Sequence, residues 1–310
     1  MNLIVTGALG HIGTFLLSNC HLMKKVKSIY AIDKLDKKML NLINLKLKKK
    51  INFINLDLSK KKFKLKTKKK IDVIIHLAST TDATSSIKFR GEVFKNNLNC
   101  FNNVLKFCIK NKIKLIHISS TSVYGSQDSF VDENCKDLLP QSPYAEVKLI
   151  EENKLQKSNK NLKFISLRFG TIAGPSSGMR FHTAVNKFCQ QAYIREPLHV
   201  WKTALHQYRP YLSLRDAFKT FNFILNRKLF DRKIYNIVSE NLTVNQIIKK
   251  IEKNKKTRIK LVDVKIMNQL SYKVDKSKIK KIGLSLNNKI SDDINNTFKF
   301  LKNKPFHENF

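Results

Sequence analysis

The stretch MNLIVTGALGHIG at positions 1–13 decides the fold. Asn2, Leu3, Ile4, Val5 and Thr6 form a short run suited to a buried strand. Glycines then follow at positions 7, 10 and 13, spaced G-x-x-G-x-x-G. Positions 14–22 continue with helix-compatible apolar residues. Strand, glycine turn and helix, in that order, are the context of a dinucleotide fingerprint. Gly7 would permit the tight turn, Gly10 would let the backbone approach a pyrophosphate, and Gly13 would let the helix pack closely on the strand. The phosphates would lie on the free N–H groups at the helix start, where the dipole favours negative charge.

Working outward, SIYAI at 28–32 predicts a second strand, ended by Asp33. This acid lies about twenty residues past the glycines, where a carboxylate can accept hydrogen bonds from a ribose 2′-OH. It repels a 2′-phosphate and so favours NAD over NADP, with Lys34 offsetting part of that repulsion. Further strands are expected at 52–56 (NFINL), 72–77 (DVIIHL), 114–118 (KLIHI) and 164–168 (FISLR). Helices are expected at 94–111 and at 143–155, where Pro143 suits a first turn. Continuous apolar strands alternating with helices imply a parallel sheet covered on both faces. Beyond Gly170 the expectations are a helix at 181–193, a strand at 199–201, a strand at 234–238 returning to the first sheet, and a helix at 243–253 capped by Thr243. The fold class is therefore α/β: a Rossmann-type doubly wound parallel sheet with a smaller C-terminal substrate domain. Residues 1–170, with a returning segment near 205–240, would bind the dinucleotide. Residues 171–310 would mainly bind substrate.

The 310-residue chain is 42% hydrophobic, which suits a globular protein. No apolar stretch reaches the roughly 18 residues that span a bilayer, and the opening strand is not a signal peptide. Five cysteines (Cys20, Cys100, Cys108, Cys135, Cys189) show no C-x-x-C pairing, which points to reduced thiols, a cytoplasmic setting and no structural metal. Formal net charge is +37. Lysines far outnumber arginines and are spread along the chain beside Asn and Ile, as an AT-rich coding sequence produces, so no specific nucleic-acid partner is implied. The densest run, 60–70, alternates with Phe63 and Leu65 and is expected on a solvated face.

Ser119 and Ser120 stand at the end of the 114–118 strand. Farther on, Tyr144 and Lys148 are four apart on one helix, which puts them on one face. A tyrosine with its ordinary pKa near 10 is a poor base at neutral pH. A nearby ammonium and a positive nicotinamide would favour its phenolate. Tyr144 could then take a hydroxyl proton while hydride leaves the same carbon, with Ser120 hydrogen-bonding the oxygen. His76 and His117 read as structural histidines on strands.

These motifs in order resemble the extended short-chain dehydrogenase/reductases, in their nucleotide-sugar epimerase/dehydratase branch. The resemblance rests on TGALGHIG (6–13), Asp33, Asp57-Leu58, HLAS (76–79), NNLN (96–99), SSTSVYG (119–125), YAEVK (144–148), LRFGTIAGP (167–175) and RPYLSLRD (209–216). It implies that Gly7, Gly10, His11, Ile12, Gly13 and Asp33 hold the cofactor NAD. Asp57 and Leu58 would sit at the adenine, with Leu77, Ala78 and Ser79 along the path to the nicotinamide ribose. Lys148 would bind that ribose and tune Tyr144. Arg209 would hold a nucleotide-diphosphate sugar by its diphosphate, and Val200 and Trp201 would pack the base. Arg180 and His182 would contact substrate or cap the next helix. A homodimer through the helices at 94–111 and 143–155 is common in the family.

Departures narrow the reaction. Family 4,6-dehydratases carry Asp-Glu directly after the active-site Ser/Thr, where Thr121 and Ser122 stand here; neither can eliminate water by acid/base work as a carboxyl can. Thr171 replaces an asparagine that usually contacts the sugar diphosphate, and MNQLSY at 267–272 replaces the R-P-G-D that often holds a phosphate. The first expectation is therefore a nucleotide-sugar 4-epimerase acting through a 4-keto intermediate. The second is a reductase or dehydrogenase of the same fold, and the third a non-catalytic NAD-binding or RNA-associated protein.

Overall fold

The computed structural model describes residues 1–35, 50–60, 62–81, 89–127, 130–263 and 271–303. Seven strands form the main sheet: β1 (Asn2–Thr6), β2 (Ser28–Asp33), β3 (Lys50–Asn55), β4 (Val73–His76), β5 (Lys114–Ser120), β6 (Phe164–Phe169) and β7 (Ile234–Ile237). Their order is β3-β2-β1-β4-β5-β6-β7, and every neighbouring pair is parallel. Side chains alternate across this sheet. Leu3, Val5, Ile29, Ala31, Val73 and Ile75 enter one core with the helices α1 (His11–Asn19) and α5 (Leu214–Arg227). Ile4, Tyr30, Ile32, Ile74 and Leu115 enter the opposite core with α2 (Arg90–Asn111). Burial on both faces is why these strands read as unbroken apolar runs. Strand order reverses between β1 and β4, which opens a crevice beyond their carboxyl ends.

The strand at the far edge is β7, so the expected return to the first sheet is present. Boundaries moved where polar groups found partners. β5 runs on through Ser119 and Ser120, paired with Arg168 and Phe169 of β6. The helix expected from 181 begins at Ala184, because Thr183 is its extended N-cap residue; this helix is α4 (Ala184–Tyr193). α3 (Pro143–Gln156) opens with Ser142 accepting from the Ala145 N–H at 3.2 Å. Thr243 caps α6 (Val244–Glu252) through a reciprocal capping box with Gln246.

A further core joins α4, α6 and α7 (Ile290–Lys302) around Val185, Phe188, Ile247, Ile248, Ile290 and Ile294. A three-stranded sheet of Thr171–Ala173, Tyr208–Ser213 and Glu240–Thr243 borders it. Ile279, Leu284 and Leu286 pack back into the α1/α5 core. No described helix is long and apolar enough to cross a membrane. All five cysteines are free thiols.

The lysine run behaves as its alternation predicts. Phe63 is buried and stacks on Phe107 with ring centroids 4.2 Å apart, while Lys62, Lys64 and Lys66 are exposed. His76 and His117 face each other in register on β4 and β5, and both are buried. His76 lies 2.8 Å from Thr6 Oγ1 through Nδ1, and burial pushes its pKa down to about 3.

Two predictions follow from this burial. Phe63→Ala should cost about 3 kcal/mol in urea unfolding, whereas Lys64→Ala should stay within about 0.5 kcal/mol; equal losses would place the run inside the core. The unfolded chain takes up a proton on His76 near pH 6.5, which the folded chain refuses until about pH 3. Unfolded protein therefore binds more protons in that window, and stability drops as pH falls. His76→Gln should flatten the stability-versus-pH slope by up to about 1.4 kcal/mol per pH unit between pH 6 and 4. Parallel slopes in wild type and variant would refute a neutral buried His76.

Candidate active site

The glycine turn leaves β1 and enters α1 over the crevice. Gly7 has φ +65°, and a Cβ there would lie 2.7 Å from the backbone of Leu77 and Ala78. A Cβ at Gly13 would lie 2.5 Å from the Gly7 carbonyl oxygen, so both positions demand glycine. Gly10 is the residue before α1, and a Cβ there would meet only the Gly7 oxygen, at 3.3 Å. The N–H groups of His11, Ile12 and Gly13 belong to the helix's first turn and point past its end. Asp33, at the end of β2, accepts from the Leu9 N–H at 2.9 Å and the Leu35 N–H at 3.1 Å, so its carboxylate ties the turn to its neighbour strand. Asp57 accepts from Ser59 N–H and Oγ at 2.9 and 2.6 Å, beside the buried Leu58. Leu77 and Ala78 donate their N–H groups to Thr6 Oγ1, each at 3.2 Å.

Ser120 ends β5, and Tyr144 and Lys148 project from α3. Lys148 Nζ lies 5.7 Å from the centre of the Tyr144 ring, and the Tyr144 phenol contacts Ser120. Ser120 is fixed by Ser122, whose Oγ is 2.8 Å away. Lys148 is buried, and its ammonium donates to Glu151 Oε2 at 2.8 Å. Burial pushes the Tyr144 pKa above its ordinary value; Lys148 opposes that rise and Glu151 adds to it. The ammonium therefore does not by itself make Tyr144 acidic, contrary to the simplest reading of a Tyr-x-x-x-Lys pair. A buried phenol with a charge-balanced lysine needs a further positive charge nearby to ionise.

These groups line one cavity of about 610 Å3. From the glycine turn it takes Gly7, Gly10, His11, Ile12 and Gly13; from the strand ends, Leu77, Ser79 and Ser120; from α3, Tyr144 and Lys148. Its other wall carries Arg180, His182, Val200, Trp201 and Arg209. Asp33, Asp57, Leu58 and Ala78 are not in its lining. Thr183, not Arg180 or His182, is the N-cap residue of α4. Arg180 Nη1 donates to Thr81 Oγ1 at 3.2 Å, across the glycine turn. Arg209 donates to Gln207 at 3.3 Å, and burial lowers its pKa, with Tyr272 and Tyr211 working against that. Thr171 and Tyr272 also line the cavity, whereas 267–270 lie outside the described residues.

No Asp or Glu lines the cavity among the described residues. Thr121 Oγ1 lies 3.3 Å from both the Phe169 carbonyl oxygen and the Tyr272 hydroxyl, and Ser122 serves Ser120. Four buried polar atoms of cavity-lining residues have no hydrogen-bond partner: His76 Nε2, Ser119 Oγ, Thr183 Oγ1 and Tyr211 Oη. Buried polar atoms are seldom left so, and a polar ligand in this cavity would serve them.

Sequence reasoning missed two features. Glu151 is one: its signal was available, since Tyr144, Lys148 and Glu151 follow at i, i+4 and i+7 on one helical face. The other is a set of bonds between residues 174–178 and the start of α1. His11 Nε2 donates to the Gly174 oxygen at 2.8 Å, Ser176 Oγ donates to the His11 oxygen at 2.8 Å, and the Gly178 N–H donates to Thr14 Oγ1 at 3.0 Å. Nothing local marks contacts more than 160 residues apart.

Three comparisons bear on this site. The chain is 28% identical over 227 residues to a trifunctional UDP-glucose 4,6-dehydratase/UDP-4-keto-6-deoxy-D-glucose 3,5-epimerase/UDP-4-keto-L-rhamnose-reductase of Arabidopsis thaliana, across 69% of this chain and 33% of that protein. It is 28% identical over 161 residues to an ADP-L-glycero-D-manno-heptose-6-epimerase of Brachyspira hyodysenteriae, across 50% of each. The match thus spans a third to a half of the length of these curated relatives. Among solved structures, UDP-glucuronic acid 4-epimerase from Bacillus cereus, in complex with UDP-glucuronic acid and NAD, superposes with a TM-score of 0.81 at 27% identity, over 97% of this chain and 99% of that one. The NAD dependent epimerase/dehydratase family model matches residues 3–237, and the chain belongs to that family.

Proposed function

We propose that this chain is an NAD-dependent nucleotide-sugar 4-epimerase. One observation carries the reading: Ser120, Tyr144 and Lys148 converge on a cavity whose described lining contains no carboxylate. Such a site can move a proton and bind an oxygen, but it lacks the acid/base pair that dehydration needs. The glycine turn supports a bound dinucleotide, because its two crowded glycines leave Gly10 and the first turn of α1 open to phosphate. His76 Nε2 and Ser119 Oγ supply unserved polar atoms on the cofactor side of the cavity. Bound NAD supplies a hydride acceptor that becomes the donor in the return step.

In this reading Tyr144 takes the proton from the sugar hydroxyl being oxidised, and Ser120 hydrogen-bonds the same oxygen. Lys148 holds the nicotinamide ribose. Arg209 meets the substrate diphosphate, which a guanidinium can grip at two points, and Trp201 with Val200 packs the base. Arg180 adds a cation beside the glycine turn. The keto sugar turns over within the cavity and is reduced on its other face, with Tyr144 returning the proton. Residues 1–170 and the returning strand form the cofactor half, and the later residues mainly the substrate half. The likeness to 4-epimerases favours this outcome over net reduction. Two such chains would pair through α2 and α3, and a dimeric mass in light scattering is the expected result.

The test begins with protein purified without added cofactor, denatured and assayed by mass spectrometry for released nucleotide. Near-stoichiometric NAD(H) is expected, since an epimerase regenerates its cofactor each turnover. With UDP-hexoses the C4 epimer should then form with no net change in NADH. Tyr144→Phe should lower that rate by about 100-fold or more. An empty site together with NADPH consumption would replace this reading with a reductase.

A further inference from the structure

Glu151 is a buried carboxylate that the proposed reaction does not use. Its side chain is 1% exposed, and one oxygen, Oε2, is shared by two donors. Lys148 Nζ donates at 2.8 Å and His117 Nε2 at 2.9 Å. A carboxylate here can only accept, so His117 carries a proton on Nε2. Its Nδ1 lies 2.9 Å from Ser166 Oγ, and a neutral ring accepting from that hydroxyl satisfies both contacts. The other groups facing this carboxylate are His76 on β4 and the Cys100 thiol on α2, with Tyr144 on its own helix. The adjacent Glu152 is closed off in a two-point pair with Arg168, at 2.7 and 2.9 Å. Glu151 is therefore the sole carboxylate among the described residues paired with Lys148.

We propose that Glu151 is a positioning residue for proton transfer at Tyr144: it fixes Lys148 in place, and its charge cancels part of the ammonium's field at the phenol. The inference rests on the reading of Tyr144 as the base. Its consequence is electrostatic. Tyr144 and Lys148 are close enough to titrate as a couple. With the positive ring of an oxidised cofactor against the phenol, the proton the couple loses first is the phenol's, and losing it makes the couple more negative. A fixed negative charge at Glu151 opposes that loss. With Glu151 in place, the positive ring of an oxidised cofactor is the uncompensated charge that favours the phenolate. The base then forms most readily when the hydride acceptor is present. His117 is a brace, holding the carboxylate from the sheet side.

The experiment is a near-ultraviolet tyrosinate titration in excess NAD+, with each protein compared against its own Tyr144→Phe counterpart so that Tyr144 alone is read. Glu151→Gln should lower the Tyr144 midpoint by about one pH unit or more. His117→Gln disturbs the same packing but keeps the Glu151 carboxylate, so its midpoint should not fall. If Glu151→Gln does not fold, Glu151→Asp, which draws the carboxylate back by one methylene, should shift the midpoint the same way by less. A midpoint unmoved or raised in the Glu151 variant overturns the proposal, as does an equal shift in His117→Gln. Turnover separates the two levels of inference. An active Tyr144→Phe enzyme removes the base itself, whereas an inactive one with an unmoved Glu151→Gln midpoint removes only the role of Glu151.

Discussion

Leu3, Ile4 and Val5 are fully buried on alternating sides of the first strand, and that two-sided burial constrains everything else. A strand covered on both faces has no polar side of its own. Its neighbours must be apolar too, its crossovers must be helices that lie over the sheet, and polar chemistry is displaced to the strand ends. Thr6, His76 and Ser120 are the last residues of β1, β4 and β5, and all three stand at the crevice. The glycine turn is the sharpest consequence. The chain must leave β1 and start α1 beside the backbone of Leu77 and Ala78, and a side chain at Gly7 or Gly13 would collide with main-chain atoms.

This is also why so much was legible in the sequence. Unbroken apolar runs bounded by glycine, aspartate or serine mark strands buried on both faces, and the G-x-x-G-x-x-G spacing reports a backbone clash directly. Tyr144 and Lys148 could be paired because helical periodicity is local. What stayed hidden depends on distance along the chain. The bonds of His11, Thr14 and Ser176 join residues far apart, and no periodicity announces them. Asp33 shows a partial reading: its position after β2 marked it, but the bond it accepts from the Leu9 N–H of the glycine turn was invisible. Glu151 was overlooked for another reason. Adjacent acids in a lysine-rich helix look like a solvated face, yet Glu151 and Glu152 both point inward.

The buried charges are organised differently from the surface. The chain carries a formal charge of +37, and the described lysines of the 60–70 run are exposed to solvent. Among the described residues, the two cations least exposed to solvent each have a carboxylate: Lys148 has Glu151 and Arg168 has Glu152. Burying an ion without a partner costs several kcal/mol, so a core that keeps a lysine at the crevice needs an acid behind it. The two pairs sit side by side on α3 and join it to β5 and β6 through His117 and Arg168. Surface charge can drift with composition because water screens it. The paired interior cannot drift so freely.

The cavity completes the argument by what it uses in place of acids. At the positions following Ser120, Thr121 reaches the Phe169 carbonyl and the Tyr272 hydroxyl while Ser122 braces Ser120. Hydroxyls there can orient a sugar and hold an oxygen, but their proton affinity is too low for them to drive elimination. Among the described residues Glu151 is the carboxylate paired with Lys148, and in the role proposed for it, it acts on the phenol by offsetting the ammonium's field. A negative charge in front of the lysine would face the substrate and act on its hydrogens. The same charge behind it changes only when Tyr144 can accept a proton. Placing the carboxylate on the protein side of Lys148 therefore suits the proposed reaction, in which one proton would be withdrawn and returned, and would separate redox at a sugar carbon from loss of water at the next.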